Sequence, residues 1–320
     1  LRSLSGAPPA PSGLGVESVG RRNGLSTFSG VFCPVALSMF SVLLFLRMGY
    51  VVGQSGIVLT ICQLILSYGI IVVTCLSLSA ISTNGAIEGG GVYYMISRAL
   101  GPEFGGSIGV LFFMANVFAS ALYISGFVEA FTTNFGHGGY IVDTEDIPSG
   151  RWMKFVYGLA VSVLILLMCL VGAALFAKTA LGVLAVVGIC YFTFLLSLII
   201  KNHHLDILIP HDNTRAYKGV NQTVRDEVFG NYTGIRVETF NKNWKWDFEF
   251  DYTTGGATTF AIVFGVVFSG VTGIMAGANM SGELKKPNES IPRGTLLAVG
   301  STFLVYVLGC SLLIGSSCER

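Results

Sequence analysis

Small hydroxylated residues beside helix-breaking glycines, inside an apolar run, are the side chains of this sequence best suited to chemistry, and that chemistry is ion coordination. From Ala257 to Leu284 the chain reads ATTFAIVFGVVFSGVTGIMAGANMSGEL, interrupted by Gly265, Gly270, Gly273, Gly277 and Gly282, with Ser269 and Thr272 beside the central glycines. About 20 apolar residues span a hydrocarbon core, and a backbone group freed there must find a partner or line a cavity. Spans that give up helix at the bilayer midplane are how secondary transporters form ion sites. Glycines at this spacing also allow close helix packing, which stands as the competing explanation.

A dehydrated cation needs oxygens, and the chain offers the hydroxyls of Ser38, Ser269 and Thr272, the phenol of Tyr123 and any carbonyls released where a helix unwinds. An anion needs backbone N–H groups at a half-helix start, where unpaired donors and the helix dipole combine. Gly273-Ile274-Met275 supplies such donors if the helix restarts after Thr272, and Val42 and Leu43 do the same in the first apolar run. No carboxylate lies mid-span in either run, which argues against a proton relay. Glu129 reads as an interfacial glutamate near a helix end. Gly89-Gly90-Gly91 is not followed by a Walker lysine, so it reads as a packing element and not as a nucleotide site. The seven cysteines form no CxxC and the four histidines no zinc spacing. No nucleophile–base pair or metal cluster stands out, so the sequence predicts neither an enzyme nor a cofactor.

The elements that must position these residues are membrane spans. The chain is 52% hydrophobic and 12% charged, with mean hydropathy +0.69 and net charge +1, which excludes an ordinary soluble domain and gives no reason to expect nucleic acid. Seven apolar stretches can be counted: Val31–Val52, Ile57–Ile81, Gly105–Phe131, Phe155–Phe176, Ala180–Ile200, Ala257–Met280 and Leu296–Leu313. Residues 1–27 read as a disordered cytosolic tail, residues 28–320 as one transmembrane domain that stops after its seventh crossing, and 201–252 as its long polar loop. With alternating crossings, Arg21, Arg22, Arg98, Lys178, Lys285, Lys286 and Arg293 fall on one side; Arg151 and Lys154 lie opposite, and Arg47 is an exception. That bias places the N-terminus in the cytosol. Asn221-Gln222-Thr223 and Asn231-Tyr232-Thr233 are glycosylation acceptor patterns in the loop predicted to face outside or a lumen; Asn288-Glu289-Ser290 falls on the cytosolic side. Broken-helix transporters are usually inverted repeats. Pro34, Ser38 and Ser41 interrupt the first crossing as the glycines do the sixth, so crossings six and seven read as the start of a second repeat.

GGGVYYMISRALGPEFGGSIG, VTGIMAGANMSGEL and SIPRGT resemble the cation-chloride cotransporters of the amino acid–polyamine–organocation superfamily. SMFSVLLFLRMGYVVG, DYTTG and GANMSGELKKP point to one branch of that family. The resemblance covers Thr27 to the C-terminus and implies an all-α, polytopic, LeuT-like inverted-repeat fold, here its N-terminal seven crossings only. It further implies a cation site at Ser38, Met39, Tyr123, Ser269 and Thr272. One chloride would lie on the amides of Ser41, Val42 and Leu43, and a second at Gly273, Ile274 and Met275. A sodium site would use Leu37 and Phe40 with an eighth crossing. Ser38, Ser41 and Ser269 stand where the family has asparagine, glycine and proline; Tyr123, Thr272, Gly273 and Ile274 keep its pattern.

The expectation is therefore an electroneutral symporter of chloride with potassium or ammonium, working by alternating access. The alternative is a transport-silent subunit that binds and inhibits a related cotransporter. An amino-acid permease shares the architecture, but crossing one lacks the glycine-rich break that would hold a substrate carboxylate. Expected partners are the two ions, membrane lipid, and a second copy or another cation-chloride cotransporter. The expected location is the plasma membrane, with an endolysosomal membrane as the alternative.

Overall fold

The computed structural model describes residues 24–84, 91–136, 148, 150–171, 173–200, 203–208, 229–251 and 255–317. The chain enters through a π-helical turn, Phe28–Phe32, that runs into α1 (Cys33–Met39). After a two-residue break comes α2 (Val42–Thr83), which holds a non-helical residue at Gly56, φ 66°, ψ 174°. Gly56 lies in the gap between the first two apolar stretches, so α2 joins the far half of crossing one to crossing two. Only glycine suits this point: the positive φ disfavours side chains, and a Cβ would run into the carbonyl of Lys245.

α3 (Gly91–Leu100), α4 (Pro102–Phe135), α5 (Arg151–Val171) and α6 (Ala173–Ile200) follow. The polar loop contains β1 (Leu205–Leu208), β2 (Phe229–Tyr232), α7 (Val237–Lys242), β3 (Phe250–Asp251) and β4 (Gly256–Ala257). Crossing six is α8 (Phe260–Gly270), a break, then α9 (Ala276–Asn279). Crossing seven is α10 (Pro287–Leu304), a π-helical segment Val305–Leu312, and α11 (Leu313–Ser317). Five of these helical runs are long and apolar enough to cross a membrane: Phe45–Thr83, Pro102–Phe135, Arg151–Leu170, Phe176–Ile200 and Pro287–Ser317. The near half of crossing one and the start of crossing six are the shorter apolar helices Phe28–Met39 and Phe260–Gly270. The polytopic all-α expectation holds, with two small antiparallel ribbons added in the loop: β1 with β2, and β3 with β4.

The core joins crossings one, two, six and seven. Val31, Val35, Met39, Leu64, Val263, Val267, Ile291, Ala298 and Tyr306 are buried in one cluster. Crossing one approaches closely because glycines make room: a Cβ at Gly277 would strike Val31 and Val35, and one at Gly294 would strike Val31. By contrast, none of the most apolar window of α4, α5 or α6 is buried within the chain.

Two sets of contacts tie the ends together on opposite faces. On one, Asn243 accepts at its carbonyl from the Ile57 N–H (2.9 Å) and donates from its side-chain amide to the Gly315 carbonyl (2.8 Å). Thr233 and Arg236 donate their N–H groups to the carbonyls of Ser317 (2.9 Å) and Ser316 (3.0 Å). The loop thereby satisfies carbonyls that the end of crossing seven leaves without helical partners. On the other face, Leu25 donates to the Glu283 carbonyl (2.8 Å) and accepts from the Lys285 N–H (3.2 Å), while Thr27 and Ser290 share a hydroxyl bond of 2.9 Å. Of the tail expected over 1–27, residues 24–27 form a strap paired through the bonds of Leu25 and Thr27, and 1–23 lie outside the described residues. Asn221 lies outside them as well; Asn231 is exposed on β2, on the loop face.

Candidate ion site

The break in crossing one needs no glycine. Phe40 sits at φ −75°, ψ 69°, and the Ser41 N–H donates to the Met39 carbonyl at 2.8 Å. That is an inverse γ-turn, which any L residue can adopt. A second donor, the hydroxyl of the fully buried Tyr306, reaches the same carbonyl at 2.8 Å. Met39 is gripped at its side chain too, where Thr302 Oγ1 lies 3.7 Å from the thioether sulfur. Ser41, extended at φ −72°, ψ 130°, then starts α2. Its Oγ is buried without a hydrogen-bond partner among the described residues. Helix geometry leaves the N–H groups of the first turn, where Val42 and Leu43 lie, without intrahelical acceptors.

The break in crossing six does need glycine. α8 ends at Gly270 with Val271 as its cap, and Gly273 has φ 118°. Gly273 is the one of the five glycines of this run that needs its conformational freedom. Gly277 answers the packing explanation instead, and around Gly265 there is open space. Across the break the N–H groups of Thr272, Gly273, Ile274 and Met275 donate to no backbone carbonyl among the described residues; helical bonding resumes with Ala276 N–H to the Gly273 carbonyl at 3.2 Å.

The two breaks abut. A Cβ on Gly273 would fall onto the Ser38 hydroxyl. Two cavities meet there, sharing Ser38, Tyr123 and Ala276 in their walls. The first, about 490 Å³, runs between α1, the end of α5 and the start of α6, past Leu37, Phe40, Ser41 and Thr179. The second, about 460 Å³, runs between α2, α4 and the crossing-six break, past Thr272, Gly273, Ile274 and Met275. The crossing-six break therefore opens on the second cavity, Ser41 at the start of α2 borders the first, and Ser38 and Tyr123 line both.

The remaining expected residues fall less neatly. Thr272 Oγ1 donates to the Ser269 carbonyl (3.0 Å), which leaves its lone pairs to the second cavity. Ser269 Oγ donates to the Val266 carbonyl (2.9 Å) and lines neither cavity. Met39 presents no free face: its side chain is buried and its carbonyl already accepts two bonds. Sequence reasoning missed Thr74, Asn116 and Asn279, which line the second cavity. A polar residue mid-span was the signal available for Asn116. It also missed Tyr306 and Thr302, whose partner is a carbonyl 267 positions away in the chain for Tyr306 and a sulfur 263 positions away for Thr302.

The amino acid permease family model matches residues 30–319. Solute carrier family 12 member 9 of Danio rerio is 47% identical over 300 residues, covering 92% of this chain and 32% of that protein. Vacuolar cation-chloride cotransporter 1 of Saccharomyces cerevisiae is 38% identical over 298 residues, 90% of this chain and 25% of that protein. The bumetanide-sensitive sodium-(potassium)-chloride cotransporter of Manduca sexta is 35% identical over 284 residues, 89% and 24%. The chain thus spans about a third or less of the length of these relatives. Two broken crossings meeting at Ser38 and Gly273, with a family match over nearly the whole chain, lead to one conclusion: the chain belongs to the amino acid permease family, on the side of it that resembles the cation-chloride cotransporters.

Proposed function

We propose that this chain carries the ion-binding crossings of a secondary active transporter that moves a monovalent cation, potassium or ammonium, together with chloride, electroneutrally and by alternating access. The observation that carries the reading is the shared wall. Ser38 and Tyr123 line both cavities, and the second is also lined by Gly273, Ile274 and Met275 of the crossing-six break. Thr272 adds a cation oxygen, and Gly273-Ile274-Met275 the donors for one chloride. The start of α2 at Ser41, Val42 and Leu43 serves a second, with Val42 and Leu43 as its donors because the Ser41 N–H is held by the Met39 carbonyl. Opposite charges held a few ångströms apart in an apolar surround attract far more strongly than in water, which favours binding both ions together.

In this reading the face that carries the 229–251 segment is outside or lumenal, the strap at residues 24–27 is cytosolic, and Asn231 and Asn221 carry glycans. The protein works in the plasma membrane or an endolysosomal one, alone or with a second cotransporter subunit. The test is ion flux by the full-length protein in liposomes, with potassium, ammonium and sodium each compared in chloride and in gluconate. Cation uptake that requires chloride supports the proposal; uptake indifferent to the anion overturns it.

One observation favours a second reading, the transport-silent regulatory subunit. Met39, which the family resemblance places in the cation site, has its carbonyl already taken by Ser41 and Tyr306. In that case the liposomes show no flux, and co-reconstitution lowers the flux of a related cotransporter.

A further inference from the structure

We propose that the second cavity holds a separate station for the cation, built from Thr74 on α2, Asn116 on α4 and Thr272 at the crossing-six break; this rests on the transporter reading above. These side chains line one space with Asn279, and no charged residue is among its walls. Many polar side chains of these helices donate to their own turn; what sets these apart is that they line one cavity. Thr74 Oγ1 donates to the Ile70 carbonyl (2.9 Å), and Thr272 Oγ1 to that of Ser269 (3.0 Å). Asn116 donates from its amide nitrogen to the Phe112 carbonyl (2.7 Å). A carbonyl can only accept, so this bond fixes the amide's orientation and leaves Oδ1 as an acceptor. Three oxygens from three elements have each spent a donor on their own helix and keep their lone pairs. That arrangement suits a cation.

The surroundings sharpen the assignment. Ile70, Ile71, Phe112 and Phe268 complete the walls, and an apolar surround strengthens each ion–dipole contact. A water occupies about 30 Å³ in the liquid, so about 460 Å³ accepts a cation with part of its hydration shell. The walls also include Ser38 and Tyr123, shared with the first cavity, and Asn279, against which Gly91 of α3 packs closely. The first cavity offers nothing comparable, because the residues of α5 and α6 facing it are mostly Ile165, Met168, Phe176 and Val183. The cation is therefore received partly hydrated at Thr74 and Asn116, and loses water as it moves past Thr272 to Ser38 and Tyr123.

The test is flux by the full-length protein in liposomes, with the cation varied at saturating chloride and then chloride varied at saturating cation. Asn116→Leu and Thr74→Val should each raise the half-saturating cation concentration about five- to tenfold, the effect of one lost ligand, and leave that for chloride unchanged. Asn116→Asp puts a charge on the same oxygen position and should lower the half-saturating cation concentration, which damaged packing would not do. If Asn116→Leu and Asn116→Asp leave the cation curve unmoved while Thr272→Val shifts it, the second station is wrong and the site at the breaks survives. If Thr272→Val is silent as well, the transporter reading falls with it.

Discussion

At the scale of single residues, the proposed site makes different demands on Thr272 and Gly273. Thr272→Val keeps the shape and removes the oxygen. Losing one ligand oxygen to the bound ion costs about 1–3 kcal/mol, and at about 1.4 kcal/mol per tenfold apparent cation affinity should fall about five- to a hundredfold. Cation titration of flux at fixed chloride reads this directly, and Tyr123→Phe should move the same curve in the same direction. Gly273→Val is a different perturbation. It puts a β-branched residue at φ 118° and a Cβ on the Ser38 hydroxyl, so the two breaks must separate. Both ion dependences should then weaken together. A Gly273→Val protein that loses chloride dependence but keeps its cation curve would show that the breaks do not share one site.

At the scale of elements, crossing one is held in its broken form from outside. The γ-turn at Phe40 uses one lone pair of the Met39 carbonyl and Tyr306 the other. Around it Phe40, Phe45 and Tyr306 pack with ring centroids 5.6–6.3 Å apart, within the range for aromatic pairs. Tyr306→Phe keeps the ring and removes the bond, so it should lower stability in detergent by about 1 kcal/mol; denaturant or thermal unfolding measures it. The loss stays small because the carbonyl retains the Ser41 N–H. Asn243→Ala should cost more, about 1–3 kcal/mol, since the Gly315 carbonyl loses its side-chain donor in a buried setting. If Asn243→Ala unfolds no more easily than the wild type, the loop segment does not brace crossings two and seven.

At the scale of the whole molecule, the contacts sort the ends into two faces. Residues 54–57, 229–251 and 315–317 meet on one, and Leu25 meets Glu283 and Lys285 on the other. A glycan mass shift removed by Asn231→Gln but not by Asn288→Gln is the expected outcome; a shift that depends on Asn288 would invert the orientation. The acceptor triplet at Asn231 ends in Thr233, which is buried and bonded to Thr239 and to the Ser317 carbonyl. Modification there must precede docking of the loop, so the folded, unglycosylated protein should resist the same modification in vitro.

How much was legible beforehand follows the range of the forces involved. Hydropathy is a local sum, so the spans and the all-α class could be read from short windows. The motifs carried the family, and Gly273 marked a break because a positive φ is a property of one residue. The break at Phe40 left no such mark, since an inverse γ-turn lies in the ordinary negative-φ region and any residue can make it. Only the folded chain decided which hydroxyls face the cavities: it set Ser38 on Gly273, turned Ser269 away from both cavities, and filled the Met39 carbonyl with a tyrosine from crossing seven. Those outcomes depend on helix rotation and on partners more than 200 positions apart, fixed by packing across the whole core, and no local pattern in a sequence encodes them.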